Sequence, residues 1–235
     1  MTASASGPVA ATDPEASDAE KVASPVDSPR TLRAALPIFL GHASPRILLA
    51  ALGTALVARI AVGGWSWRDL VVVAIVALYW PIQEWLIHVF ILHAKPIHIL
   101  GRTFDSALPK KHRAHHRDPW NYRILFIPLH TYAYTLPLLV LISFLLTPTT
   151  ALALTALVAH LSGALHYEAV HFGVHTGVTP KGRFYQRLWQ NHRLHHFKNE
   201  KFWYGVTRLE GDRLLGTGPD PATVALSPTA RTLAG

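Results

Sequence analysis

The sequence predicts an all-α integral-membrane protein with four transmembrane helices, and three observations predict it. Hydrophobic residues make up 50% of the 235 positions. Mean hydropathy is +0.22 although both ends are polar, so the middle of the chain is strongly apolar. Within that middle lie four runs, each near the ~20 residues that a helix needs to cross a bilayer.

Residues 1–30, rich in Ala, Ser, Pro and Asp, lack the apolar core of a signal peptide and carry Asp13, Glu15, Asp18 and Glu20, which argue against a transit peptide. They read as a disordered tail. The first span runs from Ile47 to Gly63 and is interrupted by Arg59; the second runs from Leu70 to about His88 and contains Glu84. A charge inside a span is costly in lipid, so Arg59 and Glu84 mark helix ends or a polar interior. Trp65 and Trp67 fall between the two spans, where an interfacial aromatic belt is expected.

The third span, Ile124 to Leu146, tolerates Pro128 and Pro137. A short turn, Thr147 to Thr150, joins it to the fourth, Ala151 to about His166. Residues 218–235, with Pro219, Pro221 and Pro228, read as a flexible tail. A soluble bundle of buried apolar helices is the alternative to this membrane reading.

Charge sets the expected orientation. Lys95, Arg102, Lys110, Lys111, Arg113, Arg117 and Arg123 lie between spans two and three, and basic residues from Lys181 to Arg213 follow span four. By the positive-inside rule both termini and the 94–123 loop are cytoplasmic. The net charge of +8 is therefore read as membrane topology and not as a nucleic-acid footprint, since no recognition motif accompanies it. The absence of cysteine excludes disulfides, thiolate metal sites, iron–sulfur clusters and a cysteine nucleophile.

Ten of the 15 histidines fall into four clusters: His88 and His93; His112, His115 and His116; His171 and His175; His192, His195 and His196. Neutral imidazole binds iron, zinc or copper. Six ligands fill even an octahedral ion, so ten imply two metals. Four spans, an even number, deliver all four clusters to one face.

Residues i, i+3 and i+4 share a helix face, so three short helices can aim the last three clusters into one cavity. His88 and His93, at i and i+5, diverge by roughly 140° on an ideal α-helix. His93 is therefore expected beyond the end of span two or at the other metal. Glu84, four residues before His88, either orients that imidazole or pairs with another helix. His42, His98, His130, His160 and His166 lack the pattern and are read as non-ligands.

Competing chemistries find little support. No HExxH appears, and Glu168 to His171 is the only Glu-x-x-His, whereas a carboxylate di-iron bundle needs two. Neither a dinucleotide fingerprint nor a serine nucleophile elbow is present. A metal transporter would place its polar ligands at mid-membrane depth, and a zinc hydrolase would need no electron donor.

The strings EWLIHVFILH, KKHRAHHRDPW, YEAVHFGVHTG and NHRLHHFKNEKFWYGVTRLEGDRLLGT resemble the histidine boxes of the fatty acid hydroxylase and sterol desaturase superfamily, over about Trp80 to Thr217. The resemblance implies a membrane domain over residues 31–217 with four transmembrane helices and a cytoplasmic helical cap. It further implies a di-iron site, with zinc as a possible substitute, held by the ten clustered histidines, and O2-dependent oxidation of a lipid. Glu84, Tyr167, Glu168 and Asp212 are the candidates for residues supporting those ligands. Glu210 and Gly211 depart from the apolar residue and tryptophan that many members carry there.

An unactivated lipid C–H bond offers no acidic proton, so acid–base groups alone cannot attack it. Activated O2 can, and reducing O2 takes electrons. The chain shows no flavin or haem motif, so a separate reductase with a ferredoxin or cytochrome b5-like donor is expected on the basic cytoplasmic face. A fatty acyl chain is the first expectation for the substrate, with hydroxylation ahead of desaturation; a sterol-like or carotenoid substrate comes second. Phe202, Trp203 and Tyr204 are read either as the lining of a lipid entrance or as an interfacial anchor. High Arg and Ala usage points to a bacterial inner membrane.

Overall fold

The computed structural model describes residues 28–233. Nearly all of the predicted disordered tail therefore lies outside the described residues. Ser28 and Pro29 near its end are packed: the Tyr122 hydroxyl donates to Ser28 Oγ at 3.1 Å, and the Gly177 amide donates to the Pro29 carbonyl at 3.1 Å.

Helix α1 (Leu32–Gly41) starts at Thr31, whose side chain accepts from the Ala34 amide, and buries Ala35 and Phe39. Helix α2 (Ala43–Val62) and helix α3 (Trp67–Leu86) form the first hairpin. Gly63 and Gly64 turn the chain with φ of 63° and 65°, a region that glycine enters without a side-chain clash. A Ser66–Asp69 capping box then starts α3. Arg59 is buried at this end, where it donates to Asp69 at 2.6 Å and to Thr155 at 2.7 Å and lies over the Trp65 ring. The charge inside the first span thus marks a polar lock at a helix end.

Span two continues past α3 as a π-helical segment, Ile87–Leu92. A two-stranded hairpin follows, β1 (Ile97–Ile99) and β2 (Arg102–Phe104), a small addition to the all-α expectation. Its turn has positive φ at Leu100 and Gly101, as tight hairpins require. Helix α4 (Ala107–Arg117) leads to the single turn α5 (Tyr122–Leu125) and helix α6 (Leu129–Leu146). The third span is broken before α6 because Pro128 lacks an amide and disfavours helix in the residue before it.

Helix α7 spans Thr150–Val174, well past the expected end near His166. Its last turns alternate core and site: Val170, Phe172 and Val174 enter apolar clusters, while His171 faces the other way. That polarity lowers the local hydropathy and hides the continuing helix from a search for apolar runs. The cap is completed by α8 (Arg183–Phe197) and the short α9 (Glu210–Leu214).

Four helical segments, Ala43–Val62, Trp67–Leu92, Tyr122–Leu146 and Thr150–Val174, are long and apolar enough to cross a membrane. α7 is the central one and packs against α2, α3 and α6. Leu48 and Ala55 of α2 and Tyr132 of α6 cluster with Leu154, Leu157 and Leu161 of α7. Gly163 lets α3 approach, since a Cβ there would sit 2.6 Å from the Trp80 ring. Outward-facing Leu70, Leu78, Leu145 and Leu146 are 72–78% exposed, an apolar surface suited to lipid.

The terminal segment after α9 has little regular structure beyond a turn at Pro221–Thr223, yet it lies against the cap. The Ser227 amide donates to the Lys198 carbonyl at 2.8 Å, and Arg231 donates to the carbonyls of His116 and Arg117 at 2.8 and 2.6 Å. Composition alone reads this stretch as loose; the contacts come from backbone groups that composition does not register.

Candidate metal centre

The ten clustered histidines converge into two groups of five. His88, His93, His112, His116 and His195 form one; His115, His171, His175, His192 and His196 form the other, and the ligand atoms of each lie within 4.8 Å of one another. His42, His98, His130, His160 and His166 belong to neither.

The triplets divide between the groups. On α4, His112 and His116 serve the first group and His115 the second; on α8, His192 and His196 serve the second and His195 the first. Residues i and i+4 differ by only about 40° around a helix, whereas i+3 and i+4 differ by about 100°. The i, i+4 pair therefore stays together, and the residue at i+3 turns to the neighbouring group. The three helices do aim their clusters into one region, as the spacing implied, and the helical angle divides each triplet between the two groups there.

His93 lies just beyond the end of span two, at Leu92, as one of the two expectations had it, and it joins His88 in one group, so the alternative placement at the other metal does not hold. The π-helical segment supplies the reason. The His93 amide donates to the His88 carbonyl at 3.1 Å, an i to i+5 bond that stacks the two residues on one face. An α-helical angle did not apply here.

The nitrogens are spaced as ligands would be. Nε2 atoms approach at 3.1 Å for His93 and His195, 3.2 Å for His112 and His116, 3.2 Å for His115 and His175, and 3.0 Å for His192 and His196. Two nitrogens bound at right angles to one ion, each ~2.1 Å from it, sit about 3.0 Å apart. Nε2 of His88 and of His171 is buried without a hydrogen-bond partner among the described residues, as an atom reserved for a metal would be. The residues present thus fit a pair of nitrogen-ligated ions.

Burial keeps these rings neutral. His93, His112, His115, His175, His192, His195 and His196 are all held below the ordinary imidazole range, first by burial and then by neighbouring imidazoles. Burial also draws His116 down to about 3. A neutral imidazole has a free lone pair for a metal.

Backbone carbonyls fix the tautomers in the first group. Nδ1 of His88 donates to Tyr204 O at 2.7 Å, that of His195 to Phe202 O at 2.8 Å, and that of His116 to Ala230 O at 2.9 Å. A carbonyl only accepts, so Nδ1 carries the proton and Nε2 faces the centre. Phe202 and Tyr204 thus act through their backbones. Trp203 and Tyr204 are buried in the cap, so neither a lipid entrance nor an interfacial anchor describes them. Trp203 holds φ of 59°, a conformation that is rare for a bulky residue and marks a constrained loop.

Two buried carboxylates hold that loop. Asp212 accepts from the amides of Tyr204 and Gly205 at 2.9 and 2.8 Å, from Asn191 at 3.1 Å and from Thr217 at 2.7 Å. Glu84 accepts from Trp80, from both backbone and hydroxyl of Thr207, and from the Val206 amide. It does not reach His88, as one reading of its spacing expected; its partners are the loop and Trp80. Tyr167 lays its ring 5.7 Å from that of His171, and Glu168 binds Ser44 and the Ile127 amide. Asn191, Ala230 and the backbone role of Phe202 escaped sequence reasoning. Two of these act through a carbonyl that any residue would supply; Asn191 had one signal, a helical amide beside His192.

An apolar cavity of about 630 Å³ runs between α3, α6 and α7 and reaches His112 of one group and His115 and His171 of the other. The geometry is that of two adjoining histidine groups, each able to hold a metal ion, at the end of an apolar pocket.

The fatty acid hydroxylase family model matches residues 73–217. The chain belongs to this family. Among the family's curated relatives, the dihydroceramide fatty acyl 2-hydroxylase FAH2 of Arabidopsis thaliana is 32% identical over 149 residues, covering 63% of this chain and 60% of that protein. The human fatty acid 2-hydroxylase is 27% identical over 132 residues, 54% of this chain and 34% of the relative. The chain thus spans only part of the relatives it matches. The solved hydroxylase domain of full-length scs7p shares the fold, with a TM-score of 0.58 at 21% identity over 85% of this chain and 70% of that one.

The departure at Glu210 and Gly211 has a local account. A Cβ on Gly211 would lie 2.5 Å from the Pro81 carbonyl, so glycine here lets α9 rest directly on α3. Glu210 turns outward and pairs with Arg208 at 3.0 Å.

Proposed function

We propose that this protein hydroxylates a lipid acyl chain with O2 at a centre of two irons, one held by each group of five histidines, zinc being a possible substitute. The observation that carries this reading is the apolar cavity of about 630 Å³ that ends on histidines of both groups. An acyl chain has the shape and polarity for such a pocket. One oxygen atom enters a C–H bond and the other leaves as water, which consumes two electrons and two protons. A separate reductase with a ferredoxin or cytochrome b5-like carrier supplies them, docking on the basic side of the cap. The positive-inside pattern supports a cytoplasmic centre and cytoplasmic termini.

Iron would supply the O2 activation that an unactivated C–H bond demands. The chain's own part is placement. The eight imidazoles outside the spans, kept neutral by burial, present lone pairs without proton release. The carbonyls of Phe202, Tyr204 and Ala230 hold three rings in the required tautomer. The apolar walls of α3, α6 and α7 exclude water and lead the chain toward His112, His115 and His171.

Lipid extracts of cells with and without the gene, compared by mass spectrometry, test this. Gain of one oxygen is the expected change; loss of two hydrogens would mean desaturation. His115→Ala should abolish the product. Metal analysis with O2 uptake separates the competing classes: two irons and reductant-dependent uptake support the oxygenase, while one zinc and no uptake would sink it.

A further inference from the structure

The hairpin of β1 and β2 divides its side chains into an apolar face and a polar face, and the apolar face is exposed. Side chains alternate along a strand, and residues directly opposed across a hairpin share a face. The register pairs Ile97 with Phe104, His98 with Thr103 and Ile99 with Arg102. One face therefore carries Ile97, Ile99 and Phe104 with Arg102 beside them. The other carries His98 and Thr103, whose side chains hydrogen-bond to each other at 3.0 Å. Ile97, Ile99 and Phe104 are 52–60% exposed, and Leu100 at the turn is 98% exposed.

A two-stranded hairpin is marginal in water on its own and needs its apolar face covered. Here only the feet are held. Arg113 on α4 donates to the Ala94 carbonyl at 2.8 Å, before β1, and pairs with Asp105, after β2. The cap thus fixes where the hairpin begins and ends and leaves its apolar face outward.

The position of the hairpin in the chain decides what covers that face. Span two ends at Leu92, and Ile97 follows within at most about 17 Å of extended chain. The hairpin is therefore held near the phospholipid headgroups, a layer about 5–8 Å deep on each side of the hydrocarbon core. Helix α1, which leads directly into α2 at this same end of the bundle, is built alike: it buries Ala35 and Phe39 and turns Leu32, Leu36 and Leu40 outward along one stripe. Exposed Lys95, Arg102 and Lys110 lie before, within and after the hairpin. A second copy of this chain on the face would set these cations against each other, whereas a long cationic side chain beside apolar ones reaches from the acyl boundary to a phosphate.

We propose that the hairpin, residues 97–104, lies on the phospholipid leaflet at the metal-centre end of the bundle, with Ile97, Ile99, Leu100 and Phe104 in the headgroup–acyl boundary and Arg102 at a phosphate. It connects Leu92 to Leu108, both of which line the apolar cavity, so its seat sets the depth of that end of the cavity in the leaflet. This placement rests on the four-span membrane reading and is independent of the reaction catalysed.

Because the chain has no cysteine, a thiol-reactive dye on a single introduced cysteine reports one position. Ile99→Cys, Leu100→Cys and Thr103→Cys, each labelled with nitrobenzoxadiazole on the full chain in phosphatidylcholine nanodiscs, are read by quenching from lipids spin-labelled at two depths and from iodide in water. Circular dichroism matching wild type shows that each labelled chain is folded. Dyes at positions 99 and 100 should lie about 5–10 Å below the phosphates and resist iodide, the depth of an amphipathic element lying in the interface. The dye at position 103 should sit at the phosphates or above and be quenched by iodide. Iodide quenching at positions 99 and 100 with none from lipid overturns the proposal. So does protection from both quenchers, which would mean that a protein covers the face, and so does equal depth at all three positions, which would mean that the hairpin does not lie on one face.

Discussion

The imidazoles of His116 and His196 stack with centroids 4.1 Å apart and planes inclined by 22°, although one ring belongs to the first group of five and the other to the second. The two groups therefore share a wall. His116→Ala or His196→Ala should lower metal content in both groups, because each removes a ligand from one and the packing that positions a ligand of the other. His93 is the least buried of the ten, at the edge of its group, so His93→Ala should remove no more than one equivalent. Metal per chain, measured by plasma mass spectrometry, distinguishes the two outcomes.

Asp212 is the keystone of the loop whose carbonyls tether His88 and His195. Asp212→Ala would leave the donors of Tyr204, Gly205, Asn191 and Thr217 without their acceptor, in a site that is 1% exposed. We expect a loss of roughly 3 kcal/mol in stability and a fall in metal affinity of about 10–100-fold. Glu84→Gln keeps one acceptor oxygen for the amides of Val206 and Thr207 and should cost less on both counts. Thermal unfolding and competitive chelation check the ranking.

Acid should unfold the metal-free protein. The cap histidines have folded-state values depressed by burial, His116 to about 3 from an ordinary 6.5. Below pH 6.5 the unfolded chain thus binds protons that the folded chain refuses, and stability falls as pH falls through the window from 6.5 toward 3. Each such group contributes a loss of roughly 1.4 kcal/mol per pH unit inside that window and nothing above it. The melting temperature of chelator-treated protein should be flat from pH 7 to 8 and drop steeply below about 6. A flat profile down to pH 5 would show that the rings are not buried and neutral.

The terminal segment should matter to the metals. Ending the chain after Thr217 removes the Ala230 carbonyl that holds His116 and the Arg231 side chain that caps α4. We expect the membrane helices to persist by circular dichroism while metal retention by the first group weakens by about tenfold or more. Full retention would mean that the segment is not part of the centre.

Much of this was legible because two periodicities carried it. Four apolar runs gave the spans, and repeated i, i+3, i+4 spacing gave the ten histidines. What escaped has specific causes. Of the two expectations for His93, a place beyond span two holds and a place at the other metal does not, because an α-helical angle was assumed where the backbone is π-helical. The end of α7 was missed because His171 and Glu168 lower its hydropathy while Val170, Phe172 and Val174 keep it packed. The division of each triplet between two groups is a matter of a 3.6-residue turn and needed only the angle to be followed one residue further. The carbonyls of Phe202, Tyr204 and Ala230 leave no mark on side-chain identity, and Glu84 binds the loop, a partner 122 residues away along the chain.

The central claim is that ten histidines form two metal sites and not one. The most direct test is the iron content of the purified wild-type chain produced with iron supplied, counted per folded polypeptide alongside His175→Ala. Two irons in wild type, falling toward one in the variant, is the result this account predicts. A single iron in folded wild type, unchanged in His175→Ala, would contradict it.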